Sequence, residues 1–278
     1  MSEVTSARVA AVESAHWYSK AGEACHTVKA KAGHDRPTTI ADARKLSLLP
    51  SPTSLLGILD KPALTSWKIE QAVLAALTAP RQDGEQLDAF VKRVLQTERQ
   101  QDDVSKAAMD LGTACHAALE DYLLTGKLPT DQQIATMCNP VMEWLKGKFP
   151  KAIEMTLVGD GYAGKVDAIV LDGNRVMVVD FKTTTKLPRE SYLEHKLQLS
   201  AYAAAYETLS DYSASDISTV NIYISKTEPG TIKVCENLDW TKSYKTFMKL
   251  LDLWCDVKDY DPRKADMSIN DKLDAAGL

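Results

Sequence analysis

The stretch YAGKVDAIVLDGNRVMVVDFKT, residues 162–183, decides the fold. It reads as two strands, 162–171 and 175–183, joined at Asp172-Gly173-Asn174, a sequence suited to a tight hairpin turn. Side chains alternate across a strand, so Asp180 and Lys182 share a face with Val176 and Val178, while Met177, Val179 and Phe181 face the other way. An acid inside VMVVDF is out of place for stability alone, because a buried charge needs a partner or a cation. If Gly173 and Asn174 form the turn, Asp167 faces Asp180 across the hairpin with Cβ atoms ~5 Å apart. If Asp172 and Gly173 form it, the acids are diagonal neighbours. Both registers put them on one face, and only an odd-residue bulge would separate them.

Two opposed carboxylates repel unless a proton or cation lies between them. Such an oxygen-rich site suits Mg²⁺, with Mn²⁺ as a substitute, better than zinc. Lys182, beside the pair, can polarise a phosphate or orient an attacking water. Metal, acids and lysine together supply what phosphodiester hydrolysis needs. The competing reading is a surface Asp–Lys salt bridge at a strand end, since isolated D-x-K matches are common.

Around this hairpin the hydrophobic period predicts an α/β chain. A strand is expected at 153–158, a helix at about 190–208, strands at 218–225 and 231–237, and a closing helix at about 240–257 with Phe247, Leu250, Leu251 and Trp254 on its apolar face. Upstream the period is helical. One segment runs through Trp67, Ile69, Val73, Leu74 and Leu77 to Pro80; others cover about 86–98, 102–125 and 131–148. The 86–98 segment carries Leu87, Phe90, Val91, Val94 and Leu95 at helical spacing. At 49–55 a turn leads into a helix start, with Thr53 or Ser54 available as N-cap. The first fifty residues read as irregular or hairpin-rich. His16, Cys25, His26 and His34 lie there, but their spacing is poor for zinc.

Charge and composition leave the function open. A net charge of −5 argues against binding nucleic acid through bulk basicity, but a local basic groove can sit on an acidic body. No apolar run is long enough to span a bilayer, and MSEVTSARVAAVESAHW lacks a basic-then-apolar leader, so no membrane partner and a cytoplasmic location are expected. Five scattered cysteines read as reduced thiols.

The ordered combination of motifs resembles the PD-(D/E)XK nuclease superfamily, in its RecB-like branch, which includes phage exonucleases and the mitochondrial genome maintenance exonuclease. Gly164 to Asp167 matches the G-x-x-D element, Asp180 to Lys182 the D-x-K element, and Gln198 to Tyr202 the Q-x-x-x-Y element. Gly112, Thr113 and His116 match the G-T-x-x-H helix, and the segment at Pro50-Ser51-Pro52-Thr53 also looks like the phage and mitochondrial relatives. The resemblance spans roughly residues 36–225. Val166 stands where the family's nominal proline falls.

This resemblance implies a restriction-endonuclease-like mixed central sheet flanked by helices, with a helical N-terminal portion. Residues 1–100 would form part of a DNA groove, 101–260 the nuclease core and 261–278 a polar tail. Asp167, Asp180 and Lys182 are the implied catalytic set. His116, Asp167, Asp180 and the backbone carbonyl of Phe181 are the implied metal ligands. Glu120, one turn beyond His116, could orient the imidazole, bind a second metal or be solvated, and Glu154 is a similar acid of lower rank. Gln198 and Tyr202 are expected to meet the nucleic-acid strand by hydrogen bonding or stacking. Thr183, Lys186, Arg189 and Ser54 are further candidates for DNA contact. The cysteines fall short of an iron–sulfur cluster, and no G-x-x-x-x-G-K-[ST] loop occurs. The expected activity is metal-dependent DNA hydrolysis, exonucleolytic, in phage or prophage recombination or processing within a bacterial host cell, with a recombination or single-strand-binding protein as partner. The rivals are an endonuclease on the same fold and a catalytically silent DNA-binding protein.

Overall fold

The computed structural model describes residues 16–30, 33–59, 62–100 and 103–264, so the leader ahead of His16 and the tail beyond Lys264 lie outside the described residues. In chain order come β1 (Trp17–Tyr18), β2 (Thr27–Lys29), β3 (Asp35–Pro37), α1 (Ile40–Leu46), β4 (Leu49–Pro50), α2 (Pro52–Leu56), α3 (Pro62–Thr78), α4 (Leu87–Gln100), α5 (Asp103–Thr125) and α6 (Gln132–Leu145). Then follow β5 (Phe149–Gly159), β6 (Tyr162–Asp172), β7 (Arg175–Thr184), α7 (Leu193–Leu209), a short 3-10 turn, β8 (Ile217–Ser225), β9 (Ile232–Asn237) and α8 (Trp240–Lys258).

The hairpin-rich reading of the first fifty residues holds for the β2–β3 ladder but misses α1. That helix starts on a reciprocal capping box between Thr39 and Asp42, which satisfies two otherwise orphaned N–H groups. At α2 the N-cap is Ser51 rather than Thr53 or Ser54. Its hydroxyl accepts from the Ser54 N–H, and Pro52 takes the first helical position, where its missing N–H costs nothing.

Five strands form a mixed sheet in the order β5-β6-β7-β8-β9. Only β7 and β8 run parallel, because α7 carries the chain from one to the other across the sheet face. This is the α/β, restriction-endonuclease-like arrangement the period pattern and motifs point to. On one face Val176, Val178 and Ile169 pack with Leu197 of α7 and with Phe247 and Trp254 of α8. On the other, Met177, Val179 and Phe181 pack with Leu119 of α5 and with Met137 and Val141 of α6. The alternation read for β7 is therefore the observed one. Covered on both sides, β8 is buried at all nine positions. Each fully buried Leu, Ile or Val contributes about 1.5–3 kcal/mol.

Three expectations need correction. β5 begins at Phe149, earlier than the expected 153, and includes Pro150; as a sheet edge, with a register shift at that point, it tolerates a residue without an N–H. α7 is buried nearly all round rather than on one stripe, and Leu193, expected on that stripe, is exposed. On α4, Phe90 and Val94 are buried, but Leu87, Val91 and Leu95 are exposed. Among the described residues no helix is long and apolar enough to cross a membrane.

Candidate active site at the end of the central hairpin

Asp172 pairs with Arg175 and Ala168 with Val179, so Gly173 and Asn174 are the turn residues, with Gly173 at φ 60°. Continuing that register would oppose Asp167 to Asp180. The ladder stops one pair short of it. The cause lies in β5 and β6 together. Met155 and Val166 pack into the same core as Ala152 and Ile169, although the two members on each strand are three positions apart, an odd spacing that strict alternation would put on opposite faces. Both strands thus change face between these positions, where Glu154 adopts a left-handed φ of 50° and Asp167 lies between the paired positions. A bulge-like distortion of this kind re-aims a side chain, and here it turns the Asp167 carboxylate onto the backbone of the next strand. Asp167 Oδ2 accepts the Phe181 N–H at 2.7 Å and lies 3.5 Å from His116 Nδ1.

In a strand, a residue's N–H and C=O leave on one edge. The Phe181 carbonyl therefore leaves on the Asp167 side, beyond the end of the β6–β7 ladder. Asp180 is buried, at 3% exposure, and both of its oxygens are engaged. Oδ1 takes the Lys182 ammonium at 2.7 Å, and Oδ2 takes the Asn221 amide at 3.3 Å.

The electrostatics separate the two acids. Burial raises the Asp180 carboxyl, and the charge of Asp167 adds to this against the pull of Lys182. Burial would raise Asp167 as well, but His116, the Lys182 charge and the Phe181 N–H outweigh it and hold it low. Burial alone would lower Lys182 and His116; the aspartates reverse this and raise both. One acid held low beside one pushed up, with Lys182 against Asp180 and His116 against Asp167, is a pairing found at catalytic centres and also in structural ion networks.

Two glycines singled out in the sequence are points of close approach. A Cβ on Gly164 would stand 2.9 Å from Tyr202 Oη and 3.0 Å from Pro52 Cδ, so β6 fits under α7 and α2 only without a side chain. A Cβ on Gly112 would stand 3.1 Å from Thr183 Oγ1, where α5 crosses the end of β7 and brings His116 to the acids.

Tyr202 is buried beneath this contact, so it offers no ring face to a base, contrary to the stacking role expected of it. It lies beside Gln198, whose amide reaches its hydroxyl at 3.4 Å and Thr53 of α2 at 3.5 Å. Ser54 accepts the His16 N–H. Lys186 and Arg189 are exposed after β7. Arg189 lines an open groove of about 580 Å³ with Lys196, Lys233 and Lys242. Of the acids of lower rank, Glu154 pairs with Lys165 at 3.0 Å, and the charge of Glu120 helps to raise that lysine.

Asn221 is the residue sequence reasoning missed. It lies beside Asp180 in the parallel register, is buried, and takes the Ser191 hydroxyl on its own oxygen at 2.9 Å. An asparagine inside STVNIYIS, a strand buried at every position, was the available signal, by the same logic that picked out Asp180.

Residues 142–249 match the PD-(D/E)XK nuclease superfamily. The matched segment holds Asp167, Asp180, Lys182, Gln198, Tyr202 and Asn221, while His116 and Glu120 lie ahead of it. A solved structure described as "Crystal structure of SSO0001" is similar at 18% identity over 55% of this chain and 76% of that chain, with a TM-score of 0.29. A comparison with curated proteins gives no match.

Among the described residues, no three His, Cys, Asp or Glu side chains converge closely enough to hold an ion in this conformation. The donor chemistry nevertheless fits a hard divalent cation: two carboxylates, a backbone carbonyl at the end of a ladder and one imidazole. Lys182 occupies Asp180 Oδ1, the position such an ion would contest.

Proposed function

We propose that this chain is a metal-dependent deoxyribonuclease that hydrolyses phosphodiester bonds at the centre built on Asp167, Asp180 and Lys182. The observation that carries this reading is the pairing of buried Asp180 with half-buried Lys182 beside an Asp167 carboxylate that the strand distortion has pulled out of the ladder. A sheet built for stability alone does not place two acids and a lysine there.

Asp167, Asp180, the Phe181 carbonyl and His116 would hold Mg²⁺, with Mn²⁺ as a substitute, and Glu120 stands one helical turn from His116. An ion held there would lower the pKa of water and neutralise phosphate charge. Lys182, released from Asp180, faces the scissile phosphate. Gln198, kept in place by Tyr202 and Thr53, meets the DNA strand. Thr183, Lys186, Arg189 and Ser54 add contacts around it, Arg189 from a groove it shares with Lys196, Lys233 and Lys242 and with Glu190, Glu236 and Asp239.

The finer reading rests on the motif resemblance: the RecB-like branch, exonucleolytic cleavage, and a role in phage or prophage recombination beside a recombination or single-strand-binding protein in the host cytoplasm. So does the division into a groove-forming region over 1–100, a nuclease core over 101–260 and a tail over 261–278. The test is digestion of linear and circular DNA, single- and double-stranded and end-labelled where linear, with Mg²⁺, Mn²⁺ or EDTA. Metal-dependent loss of linear DNA with circles spared supports an exonuclease. Nicking or linearising of circles replaces it with the endonuclease, and no cleavage under any metal removes the enzyme reading.

A further inference from the structure

We propose that the α3–α4 hairpin is a self-association surface through which two copies of this chain pair about a twofold axis. The two helices pack along a seam in which Phe90 and Val94 are buried. The face they turn outward is apolar as well. Ile69, Leu74, Leu77, Leu87 and Val91 are all exposed, Leu77 at 78%. Single exposed leucines are ordinary on a protein surface, whereas a continuous face of them marks an interaction site.

The spacing explains why this face is continuous. On α3, Ile69, Val73 and Leu77 recur every four residues, and on α4 so do Leu87, Val91 and Leu95, giving two parallel stripes on one hairpin. Between them lies a groove of about 280 Å³ lined only by apolar side chains, with small residues, Ala72 and Ala76, in its α3 wall. Leu77 and Leu87 extend the stripes at the loop end of the hairpin, so one surface carries both a hollow and the projections that could fill it. That is the requirement for an isologous contact, in which one patch meets its own copy.

Size and charge favour a second copy of the chain as the occupant. Exposed large side chains from both helices, Ile69 and Leu77 on α3 with Leu87 and Val91 on α4, leave more apolar surface on one hairpin than a monomer ordinarily shows, as a partner-covered face requires. Two such hairpins packed face to face make a four-helix bundle. Asp88 and Lys92 stand one turn apart on the exposed edge of α4. When two α4 helices run antiparallel across a twofold axis, Asp88 of each copy passes Lys92 of the other, so the rim is complementary to itself. Within each hairpin, Glu85 already pairs with Arg93 at 2.8 Å, and Arg81 and Arg93 lie over the Phe90 ring, so the hairpin has internal support of its own.

Sedimentation velocity on the full chain over a concentration series tests this, with circular dichroism confirming that each variant is folded. The wild type is expected at twice the 30.6 kDa chain mass. Leu77→Glu and Val91→Glu, both at exposed positions, are each expected to weaken the dimer at least tenfold. Asp88→Lys is expected to weaken it several-fold, and Asp88→Lys with Lys92→Asp to restore it, an outcome a different partner would not produce. A wild type that stays monomeric at tens of micromolar overturns the proposal. So does a dimer undiminished in both glutamate variants, or a charge exchange that fails to restore association.

Discussion

Gly164→Ala probes the packing that holds the site together. The added methyl would stand 2.9 Å from Tyr202 Oη and 3.0 Å from both Tyr202 Cε1 and Pro52 Cδ. None of these atoms can yield easily. Tyr202 is buried in the core of α7, and Pro52 is fixed at the first position of α2 behind the Ser51 cap. Overpacking of this kind costs about 1–3 kcal/mol. Restricting the unfolded chain returns about 0.4–1 kcal/mol of it. The expected net loss is on the order of 1–2 kcal/mol, a fall in Tm of roughly 2–8 °C for a domain of this size. Thermal and urea denaturation followed by circular dichroism measure it directly. Because two of the three contacts belong to Tyr202, adding Tyr202→Leu should relieve part of the clash, with a favourable coupling of about 0.5 kcal/mol or more in the double-mutant cycle. A Gly164→Ala variant as stable as the wild type, or two substitutions that merely add, would refute the close-packing account.

Asn221→Leu deprives Asp180 Oδ2 of its amide partner, and cleavage should fall about 10–100-fold with the fold retained, as single-turnover rates on one DNA substrate will reveal. Lys182→Met leaves Asp180 buried with Asn221 as its remaining donor, so urea unfolding at neutral pH should show a loss of about 3–5 kcal/mol; an unchanged midpoint would mean the pair is solvated. Asp42→Ala removes the Asp42 half of the α1 capping box and the two-point contact with Arg36, at a cost of about 1–2 kcal/mol at neutral pH. The Arg36 and Thr39 hydrogen bonds hold the Asp42 carboxyl well below the usual carboxylate range. Its stabilising contribution is therefore complete above the unfolded value, near pH 4, and fades as the pH drops below that, so the gap between variant and wild type should close in acid. Tyr260→Phe removes the hydroxyl that reaches the Ala43 and Leu48 carbonyls, and a loss of about 1 kcal/mol is expected in the same assay.

Much of the fold was legible because the residues around the hairpin carry strong periodic and turn signals. DGN marked the turn without choosing between its two registers, and the alternation in VMVVDF told which side chains of β7 share a face. The distortion at Glu154 and Asp167 left no such trace, since a change of face in two strands at once preserves their pairing and breaks only the alternation. The register that would oppose Asp167 to Asp180 is the observed one, but its ladder ends before that pair, while the Asp167 charge still raises the Asp180 carboxyl. Tyr202 reads as a polar shoulder on a helical projection, but α7 lies against the sheet, α2 and α8, and burial follows from packing between elements distant in sequence. On α4 the amphipathic stripe was real, but half of it faces no other described element, something a helical period cannot report. Asn221 was visible only as a polar residue in an apolar strand and became meaningful once the parallel register set it beside Asp180.

A metal-dependent cleavage centre on Asp167, Asp180 and Lys182, as proposed, makes cleavage require both the metal and Asp180. The most direct measurement is the single-turnover rate on end-labelled linear DNA for wild type and Asp180→Ala, each with Mg²⁺ and with EDTA. The wild type should cut only with the metal, and the variant, shown to be folded by its dichroism, should fall to the EDTA background. Cleavage by Asp180→Ala at the wild-type rate, or wild-type cleavage undiminished in EDTA, would contradict it.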